Sequence, residues 1–184
     1  MPGATFIEGR HVELCTVEEE DIPFLRKYLN HPEIQQYYTD LPHNEARVRE
    51  RYETIDCGEN VGLLMVPVDE SDPVGYVQIA PIDWQHGTGG LGIWVAPEQQ
   101  PSRISVDATV QIVDYGFRQL GLHRLEIETM ETNAPIIEGA KGVGFTQTGR
   151  KREMVTFDGE EIDVVLLDML RHEWDGTEAV WESM

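Results

Sequence analysis

The clearest pattern of apolar and polar residues runs from position 89 to position 121. Residues 89–95 are apolar, with β-branched and aromatic types among glycines, which predicts a buried strand. In residues 104–120 apolar side chains recur every three or four positions, which predicts a helix with one apolar face: Val106, Val110, Val113, Phe117 and Leu120. Gly121 follows, where a left-handed C-terminal cap belongs. A tight loop therefore connects a strand to a helix. The free N–H groups of the first helical turn are a potential binding site for phosphate.

The rest of the chain reads as strands and helices on both sides of this unit. Thr16 and Glu19 form a capping box that predicts the start of a first helix, and Asn44 is placed to cap a second one. The other predicted elements are a strand at 6–14, helices at 45–56 and 134–141, strands at 62–68, 74–82 and 124–130, a strand restarting at 144–145, and a hairpin of 154–157 with 162–170. This order predicts an α/β or α+β sheet with helices on its faces.

Composition indicates a globular protein of one domain. The chain has 184 residues, of which 40% are apolar and 26% charged. The first ten residues lack a basic segment followed by an apolar one, and no apolar run is long enough to cross a bilayer, so we expect a cytoplasmic protein without a membrane partner. Cys15 and Cys57 form no pair motif, which favours two reduced thiols. The histidines are scattered, so the sequence predicts no metal site.

The charge of the chain is strongly negative. The formal net charge is -20, and the acidic residues are spread along the sequence instead of forming one block. A nucleic-acid partner is therefore disfavoured, because its phosphates would be repelled. One hypothesis is a surface adapted to a salty cytoplasm, since the Debye length falls to about 3 Å at about 1 M salt. The alternative is an acidic protein of ordinary surroundings.

A glycine-rich motif at residues 87–92 matches the pattern GxGxxG. A dinucleotide-binding fold needs this pattern between a strand and a helix, whereas here a strand follows it. The sequence therefore predicts a glycine-rich turn at this point, not a nicotinamide or flavin site.

Taken in order, the chain resembles the GNAT superfamily of acyl-CoA N-acyltransferases. It is most similar to the branch that acetylates the N-termini of ribosomal proteins. The resemblance covers nearly all of the chain from Gly9 to Trp174 and lies in these segments: 9–14, 30–33, 73–76, 91–95 with Pro97, 114–117, 120–125, Asn133, Gly144 with Phe145, Gly149, 158–159, Asp163 and 173–174. It implies a single domain over residues 1–174, with a mixed, mostly antiparallel central sheet, helices on both faces and a splayed strand pair. We expect residues 175–184 to form an acidic tail.

The resemblance also implies acetyl-CoA as co-substrate and an amine as acceptor. In this family the backbone of the strand equivalent to Ile93, Trp94 and Val95 binds the pantetheine arm, and the loop that follows wraps the pyrophosphate. The implied cofactor-binding residues of this chain are Ile93, Trp94, Val95, Gln100, Ser102, Arg103, Ile104, Ser105 and Asn133. The implied chemistry is direct attack of a neutral amine on the thioester, with a base to take the proton of the amine.

The sequence departs from the family pattern at active positions. Arg103 stands where the family has its middle glycine, and Pro101 replaces another common glycine and removes an amide donor. The arginine either blocks the phosphate seat or binds phosphate through its own fork of N–H groups. Gly90 stands where relatives often carry a glutamate as base, and Ala140 where many carry a tyrosine as acid.

Three hypotheses follow from these departures. The first is an acetyl-CoA-dependent N-acetyltransferase acting on a protein N-terminus or a small primary amine, with Glu128, Glu131 or an ordered water as replacement base. The second is a degenerate relative without transferase activity that binds a partner or forms a homodimer. The third is a fold relative that binds another anionic ligand through Ser102, Arg103 and Ser105.

Overall fold

A computed structural model describes residues 2–38, 41–99 and 103–183 of the chain. Its centre is an eight-stranded sheet with the spatial order β1-β2-β3-β4-β5-β6-β8-β7. The strands are β1 Thr5–Glu8, β2 Val12–Thr16, β3 Val61–Pro67, β4 Gly75–Asp83, β5 Thr88–Val95, β6 Arg124–Met130, β7 Thr146–Phe157 and β8 Glu160–Leu170. The helices are α1 Ile22–Leu29, α2 Pro32–Tyr38, α3 Glu45–Asp56, α4 Arg103–Arg118, α5 Ala134–Val143 and α6 Thr177–Ser183. None of the described helices is both long and apolar enough to cross a membrane.

The sheet consists of two well-paired parts that meet between β5 and β6. Strands β1 to β5 pair antiparallel in sequence order, and β6, β8 and β7 form a second antiparallel group. The β5–β6 pair is the parallel one, because α4 carries the chain across the face of the sheet between these strands. This mixed, mostly antiparallel sheet is the one that the family resemblance implies.

Two apolar clusters cover the two faces of the sheet. On one face α4 and α5 pack against the central strands through fully buried side chains that include Ile79, Val113, Phe117 and Leu125. On the other face α1 to α3 cover Leu64, Tyr76 and Trp94. Helices therefore lie on both faces, as predicted, and the β5–β6 junction lies between the two layers.

The helix α4 is fixed to the sheet by one buried carboxylate. Asp107 is fully buried and accepts hydrogen bonds from the backbone N–H groups of His11 at 2.6 Å and Val12 at 3.2 Å. The side-chain amide of Gln111 donates to the same carboxylate at 3.2 Å. Because a buried carboxylate is costly without such partners, this contact fixes the position of the first turns of α4 relative to β2.

The N-terminal third follows the predicted order with two corrections. The predicted strand at 6–14 is two antiparallel strands, because the chain turns at Gly9, whose N–H donates to the Val12 carbonyl at 2.9 Å. The predicted capping box of Thr16 with Glu19 is also wrong. Thr16 ends β2, and the carboxylate of Asp21 instead accepts the N–H of Glu18 at 2.9 Å, one turn before α1. By contrast, the predicted cap of α3 is confirmed, since the Asn44 side chain accepts the Arg47 N–H at 2.9 Å.

The C-terminal third differs from the prediction in two places. The strand restarting near Phe145 and the strand at 154–157 are one bulged strand, β7. Residues 175–184, predicted as a tail, contain the helix α6. Its Val180 is buried in the α4 cluster, and its Trp181 ring lies under the Arg10 guanidinium at 5.2 Å. The two apolar side chains give this acidic segment enough contact area to dock.

Candidate active site

The strands β5 and β6 separate after three paired positions. Thr88 pairs with Arg124, Gly89 with Leu125, and Gly90 with Glu126, and the pairing ends there. Each strand stays paired on its outer side, β5 with β4 up to Val95 and β6 with β8 up to Met130. The result is a V-shaped cleft of 690 Å³ between two strands whose inner edges are free. The splayed pair that the resemblance implies is therefore present.

The open edge of β5 presents backbone groups of Ile93 and Val95. Ala96 donates its N–H to the Val74 carbonyl, just before β4, at 2.7 Å. Because backbone groups alternate in direction along an antiparallel ladder, the N–H and C=O groups of Trp94 also face β4. The peptide groups of Ile93 and Val95 then face the opposite side, toward the cleft. Free N–H and C=O groups along a strand edge are the partners that the amide groups of an extended ligand require.

Tyr38, at the end of α2, occupies one of these open-edge groups. Its hydroxyl donates a hydrogen bond to the Ile93 carbonyl at 2.9 Å. Although 40% of Tyr38 is exposed, burial of its hydroxyl end raises the pKa to about 12. The phenol is therefore protonated at neutral pH and remains a donor in the cleft.

Trp94, predicted to bind the cofactor through its backbone, has its side chain among other aromatic rings. Its ring centroid lies 5.7 Å from Phe24, 5.8 Å from Tyr28 and 6.0 Å from Tyr76. Its indole N–H is buried and has no hydrogen-bond partner among the described residues. This cluster joins α1 to the sheet and stabilises β5 from the face covered by α1 to α3.

The predicted phosphate site is only partly described. Arg103 is the first residue of α4 and is exposed, and Ile104 and Ser105 follow it in the first turn, partly buried. Gln100, Pro101 and Ser102 lie outside the described residues. The helix α4 is the next element after β5 in the chain, as the sequence predicted, and residues 96–102 connect the two.

Asn133 lies in the wall of the cleft at the start of α5. It is buried and donates from its side-chain amide to the Thr129 hydroxyl at 3.0 Å. Although it holds the N-cap position, its side chain makes no capping hydrogen bond. An asparagine that does not cap its helix has its carbonyl oxygen available for other partners.

The two carboxylates predicted as replacement bases are both engaged in ion pairs. Glu128 lines the cleft, but the Lys151 ammonium group contacts both of its oxygens, at 2.7 and 2.8 Å. Glu131 pairs with Arg150 at 2.7 Å and is not part of the cleft wall. In both residues, a carboxylate oxygen that a base would use to take up a proton already accepts a hydrogen bond from a cationic side chain.

The structure adds Asp83 and Glu126 to the cleft wall. Asp83 accepts hydrogen bonds from the backbone and the ring of His86, at 3.0 and 2.8 Å, which hold the pKa of this carboxyl below its usual range. Glu126 is the β6 residue beside Gly90 at the last paired position. The alternation of β6 shows from sequence that Glu126 and Glu128 share a face, but it does not show which β5 residue each one lies beside.

The two departures at positions 90 and 140 have different surroundings. A Cβ atom at Gly90 would lie 2.9 Å from the Ala80 carbonyl oxygen, where β4 bulges between Ile79 and Ile82. Gly90 therefore permits a close approach of two backbones. Ala140 is buried in the α4 cluster and presents no acidic group.

A second depression, of 280 Å³, lies between α1 and α3 and involves neither β5 nor β6. Four of its charged side chains are paired with each other, since Arg49 contacts Glu19 and Glu45, and Arg26 contacts Glu45 at 3.5 Å. The chemistry of the cleft does not depend on it.

Known proteins share both the sequence pattern and the fold. The chain is 24% identical to "Uncharacterized N-acetyltransferase p20" of Bacillus licheniformis over 89% of its length and 94% of that protein. It is 26% identical to "Putative ribosomal N-acetyltransferase YdaF" of Bacillus subtilis (strain 168), over 55% of the chain and 56% of that protein. The crystal structure of spermidine N-acetyltransferase from Vibrio cholerae, in complex with CoA and spermine, superimposes with a TM-score of 0.82. That match has 21% identity and covers 89% of this chain and 97% of the other.

A family description covers the greater part of the sequence. Residues 11–146 match the family "Acetyltransferase (GNAT) domain". This range contains the splayed strands, the open edge of β5, the whole of α4 and Asn133. The chain therefore belongs to the GNAT acetyltransferase family.

Proposed function

We propose that this protein transfers the acetyl group of acetyl-CoA directly to the α-amine of a protein N-terminus. GNAT members are acyltransferases, acetyl-CoA is their co-substrate and an amine is the acceptor, so membership of the family gives the class of reaction. The acceptor is the part that we infer. The observation that carries it is the charge balance inside the cleft.

Two of the carboxylates in the cleft wall are bound by cationic or hydrogen-bonding partners from the protein itself. Lys151 binds Glu128, and His86 binds Asp83. The third, Glu126, has the Arg124 guanidinium 3.2 Å away. A polyamine needs several carboxylates free to receive its ammonium groups, whereas one α-amine needs only one. The small number of carboxylates left to bind ammonium groups in the cleft therefore favours an acceptor with a single amine at the reacting end.

The outer part of the cleft favours an acceptor with side chains. Tyr37, Tyr38, Pro81 and Met154 line it, and Met154 is 59% exposed. Exposed aromatic and methionine side chains next to a cleft are typical of surfaces that bind varied apolar groups. The first side chains of a peptide would contact this surface while its α-amine enters the cleft.

The open edge of β5 and the start of α4 are the parts that we assign to acetyl-CoA. The peptide groups of Ile93 and Val95 are assigned to the pantetheine arm. Arg103, Ile104 and Ser105 in the first turn of α4, with Gln100 and Ser102 before it, are assigned to the phosphates. Asn133, in the opposite wall, is assigned to the same ligand.

A second acceptor class is a small polycation. The net charge of -20 attracts cations over distances beyond the contacts in the cleft, and a structural neighbour is a spermidine N-acetyltransferase. This alternative predicts that kcat/KM for a polycationic acceptor falls steeply with added salt.

Release of CoA thiol in the presence of acetyl-CoA tests the acceptor. The panel contains a peptide with a free N-terminus and no lysine, the same peptide with a blocked N-terminus, and spermidine. We expect kcat/KM for the free peptide to exceed that for spermidine by at least about tenfold, or ~1.4 kcal/mol in transition-state binding. A preference for spermidine, or equal rates with both peptides, would contradict the proposed acceptor.

Calorimetry with acetyl-CoA, at low salt and at about 1 M salt, tests the co-substrate site independently of the acceptor. We expect binding under at least one condition, with weaker binding by Arg103→Ala because a phosphate contact is lost. The absence of binding under both conditions would contradict the assignment to β5 and α4.

A further inference from the structure

We infer that Glu126 is the general base of the reaction, so that the catalytic carboxylate stands on β6. This inference rests on the proposed function, since it concerns the proton that the acceptor amine loses. It differs from the sequence-based candidates Glu128 and Glu131. Four observations carry it: the place of Glu126 at the point of divergence, the absence of a side chain at Gly90, the partners of the neighbouring carboxylates and the charges around Glu126.

Glu126 stands where the two strands begin to separate. It is paired with Gly90 at the last position of the β5–β6 ladder, and the cleft opens from this position onward. The distance along β5 from Gly90 to Val95 is five residues, or about 17 Å, at the rise of an extended strand. An extended ligand arm of about 17 Å that runs along the open edge from the start of α4 would therefore place its reactive end near Gly90, beside Glu126.

Gly90 leaves room for the Glu126 carboxylate. Adjacent strands lie about 4.8 Å apart, so a side chain at position 90 would stand directly beside that of Glu126. Glycine contributes no side chain there, and the Glu126 side chain is 38% exposed to the cleft. No β5 side chain therefore covers the Glu126 carboxylate at this position.

Glu126 is also the least engaged of the carboxylates in the cleft wall. Glu128 accepts two hydrogen bonds from Lys151, and Asp83 accepts two from His86. Within the described part of the chain, Glu126 accepts none. The Arg124 Nε atom lies 3.2 Å from its carboxylate but makes no hydrogen bond with acceptable geometry. The same guanidinium makes a closer contact with Asp168, at 2.8 Å.

The charged and titratable groups that face Glu126 come from five elements. On β6 they are Arg124 and Glu128, and on β8 Asp168 lies beside Glu126 in the sheet. The others are Lys151 on β7, Asp83 on β4, and Tyr37 and Tyr38 on α2. Asp168 contacts Arg124, Glu128 contacts Lys151 and Asp83 contacts His86, so each of the three acidic neighbours has its own cationic or hydrogen-bonding partner.

The step that follows balances with the substrates alone. The neutral amine nitrogen attacks the thioester carbonyl carbon and forms the C–N bond. As the C–S bond breaks, the sulfur leaves with its electron pair, and the proton of the amine passes to the Glu126 carboxylate. The carboxyl group then returns this proton to the leaving thiolate or to water, which restores the carboxylate. No oxidant, reductant or metal enters this balance.

The test is Glu126→Gln, which keeps the size of the side chain and removes its basicity. We expect kcat with the free peptide to fall about 100-fold, the lower end of the effect of a general base. The acetyl-CoA Kd, measured by calorimetry, is expected to stay within about twofold of the wild-type value, an effect below ~0.5 kcal/mol. In the wild-type enzyme we expect kcat to fall at low pH as the base becomes protonated. This low-pH limb should disappear in Glu126→Gln, while the pH dependence that comes from the acceptor amine should remain.

Two further variants make the outcome specific. Glu128→Gln, on the same strand and face, should keep the low-pH limb, and Glu126→Asp should keep it with a lower kcat. Glu138→Gln, on the exposed side of α5, serves as a surface control. A Glu126→Gln enzyme that retains the limb and a kcat within about threefold of wild type would overturn the inference. If the wild-type protein acetylates no amine, the proposed function fails first, and the role of Glu126 fails with it.

Discussion

The junction between β5 and β6 and the ladders on its two sides are built from similar residues but behave differently. On the outer sides, β5 is paired with β4 from Thr88 to Val95 with one bulge in β4, and β6 is paired with β8 from Arg124 to Met130. At the junction, pairing stops at Gly90 and Glu126. The same strand thus has one edge that holds the sheet together and one edge whose peptide groups face a cleft.

The difference shows how a sheet can carry a binding site without losing its stability. Each strand of the junction is fixed by its outer partner and by a helix layer, so the inner edges need not pair with each other. Changes on the outer ladders should therefore lower stability, whereas changes on the inner edge should alter ligand binding. The next substitutions test this division, in order of expected effect.

The largest effect is expected from Gly75→Val on β4, at the position that pairs with Val95 on the outer edge of β5. A Cβ atom at Gly75 would lie 2.5 Å from the Trp94 carbonyl oxygen and 3.2 Å from the Val95 Cα atom, so the β4–β5 ladder must shift. We expect the free energy of unfolding to fall by about 3 kcal/mol, as for severe overpacking. Urea unfolding followed by circular dichroism measures it.

Gly92→Ala is the matched control. A Cβ atom at Gly92 would meet the Gln78 side-chain amide nitrogen at 3.1 Å, and this flexible side chain can move away. The loss should stay below about 1 kcal/mol. Equal losses in the two variants would show that the backbone clash at Gly75 is not the cause of its instability.

A smaller effect, on binding, is expected from Tyr38→Phe at the inner edge. The phenol donates to the Ile93 carbonyl, the group that a bound ligand amide would use. Removal of this competitor should tighten acetyl-CoA binding by about threefold, the value of part of one hydrogen bond, and change the free energy of unfolding by less than about 1 kcal/mol. Calorimetry and urea unfolding give both quantities. Weaker binding by the variant would show instead that the phenol contributes to the ligand site.

The smallest effect is expected from Asp163→Asn on the outermost ladder, β7–β8. The Asp163 carboxylate accepts the Glu153 N–H at 2.7 Å and also pairs with Arg150 at 2.9 Å, and both contacts hold its pKa below the ordinary 3.8. Because the folded pKa is the lower one, this stabilisation is complete above pH 3.8 and is lost as the pH falls through the folded value. The variant should therefore be less stable than wild type at pH 7, and the difference should shrink at pH 3.

Urea unfolding at both pH values checks this prediction. Other carboxylates with lowered pKa values, such as Asp83, affect both proteins alike and cancel in the difference. A difference of the same size at pH 7 and pH 3 would mean that the charge of Asp163 does not stabilise the β7 bulge.

The elements of this fold were predictable from sequence where the apolar period is regular. The apolar run of β5 and the period of three to four in α4 appear directly in the chain, and α3 spans the predicted range Glu45–Asp56 with Asn44 as its cap. The turn at Gly9 was missed because a short hairpin continues the same alternation through the glycine. The helix α6 was missed because it is only seven residues long and offers just two large apolar side chains for docking.

The site was less predictable, since it depends on which strands stop pairing and on which side chains meet across them. Ile93 and Val95 would look the same in a fully paired strand, so the open edge was expected from the family resemblance and not from periodicity. The pairing of Glu128 with Lys151 joins residues 23 positions apart through β8, which no local pattern reveals. Glu126 was overlooked for the same reason, because its position beside Gly90 follows from the register of two distant strands.

The contact between Gly90 and the Ala80 carbonyl has a consequence for protein engineering. A new Cβ atom at position 90 would lie 2.9 Å from the Ala80 carbonyl oxygen. Because this obstacle is backbone and cannot rotate aside, Gly90→Glu alone should not be accommodated. A design that moves the catalytic carboxylate from Glu126 on β6 to position 90 on β5 would also have to change the β4 bulge. The residue at position 90 and the backbone of β4 therefore constrain each other. Selection for folded protein from a library that randomises position 90 alone should return glycine.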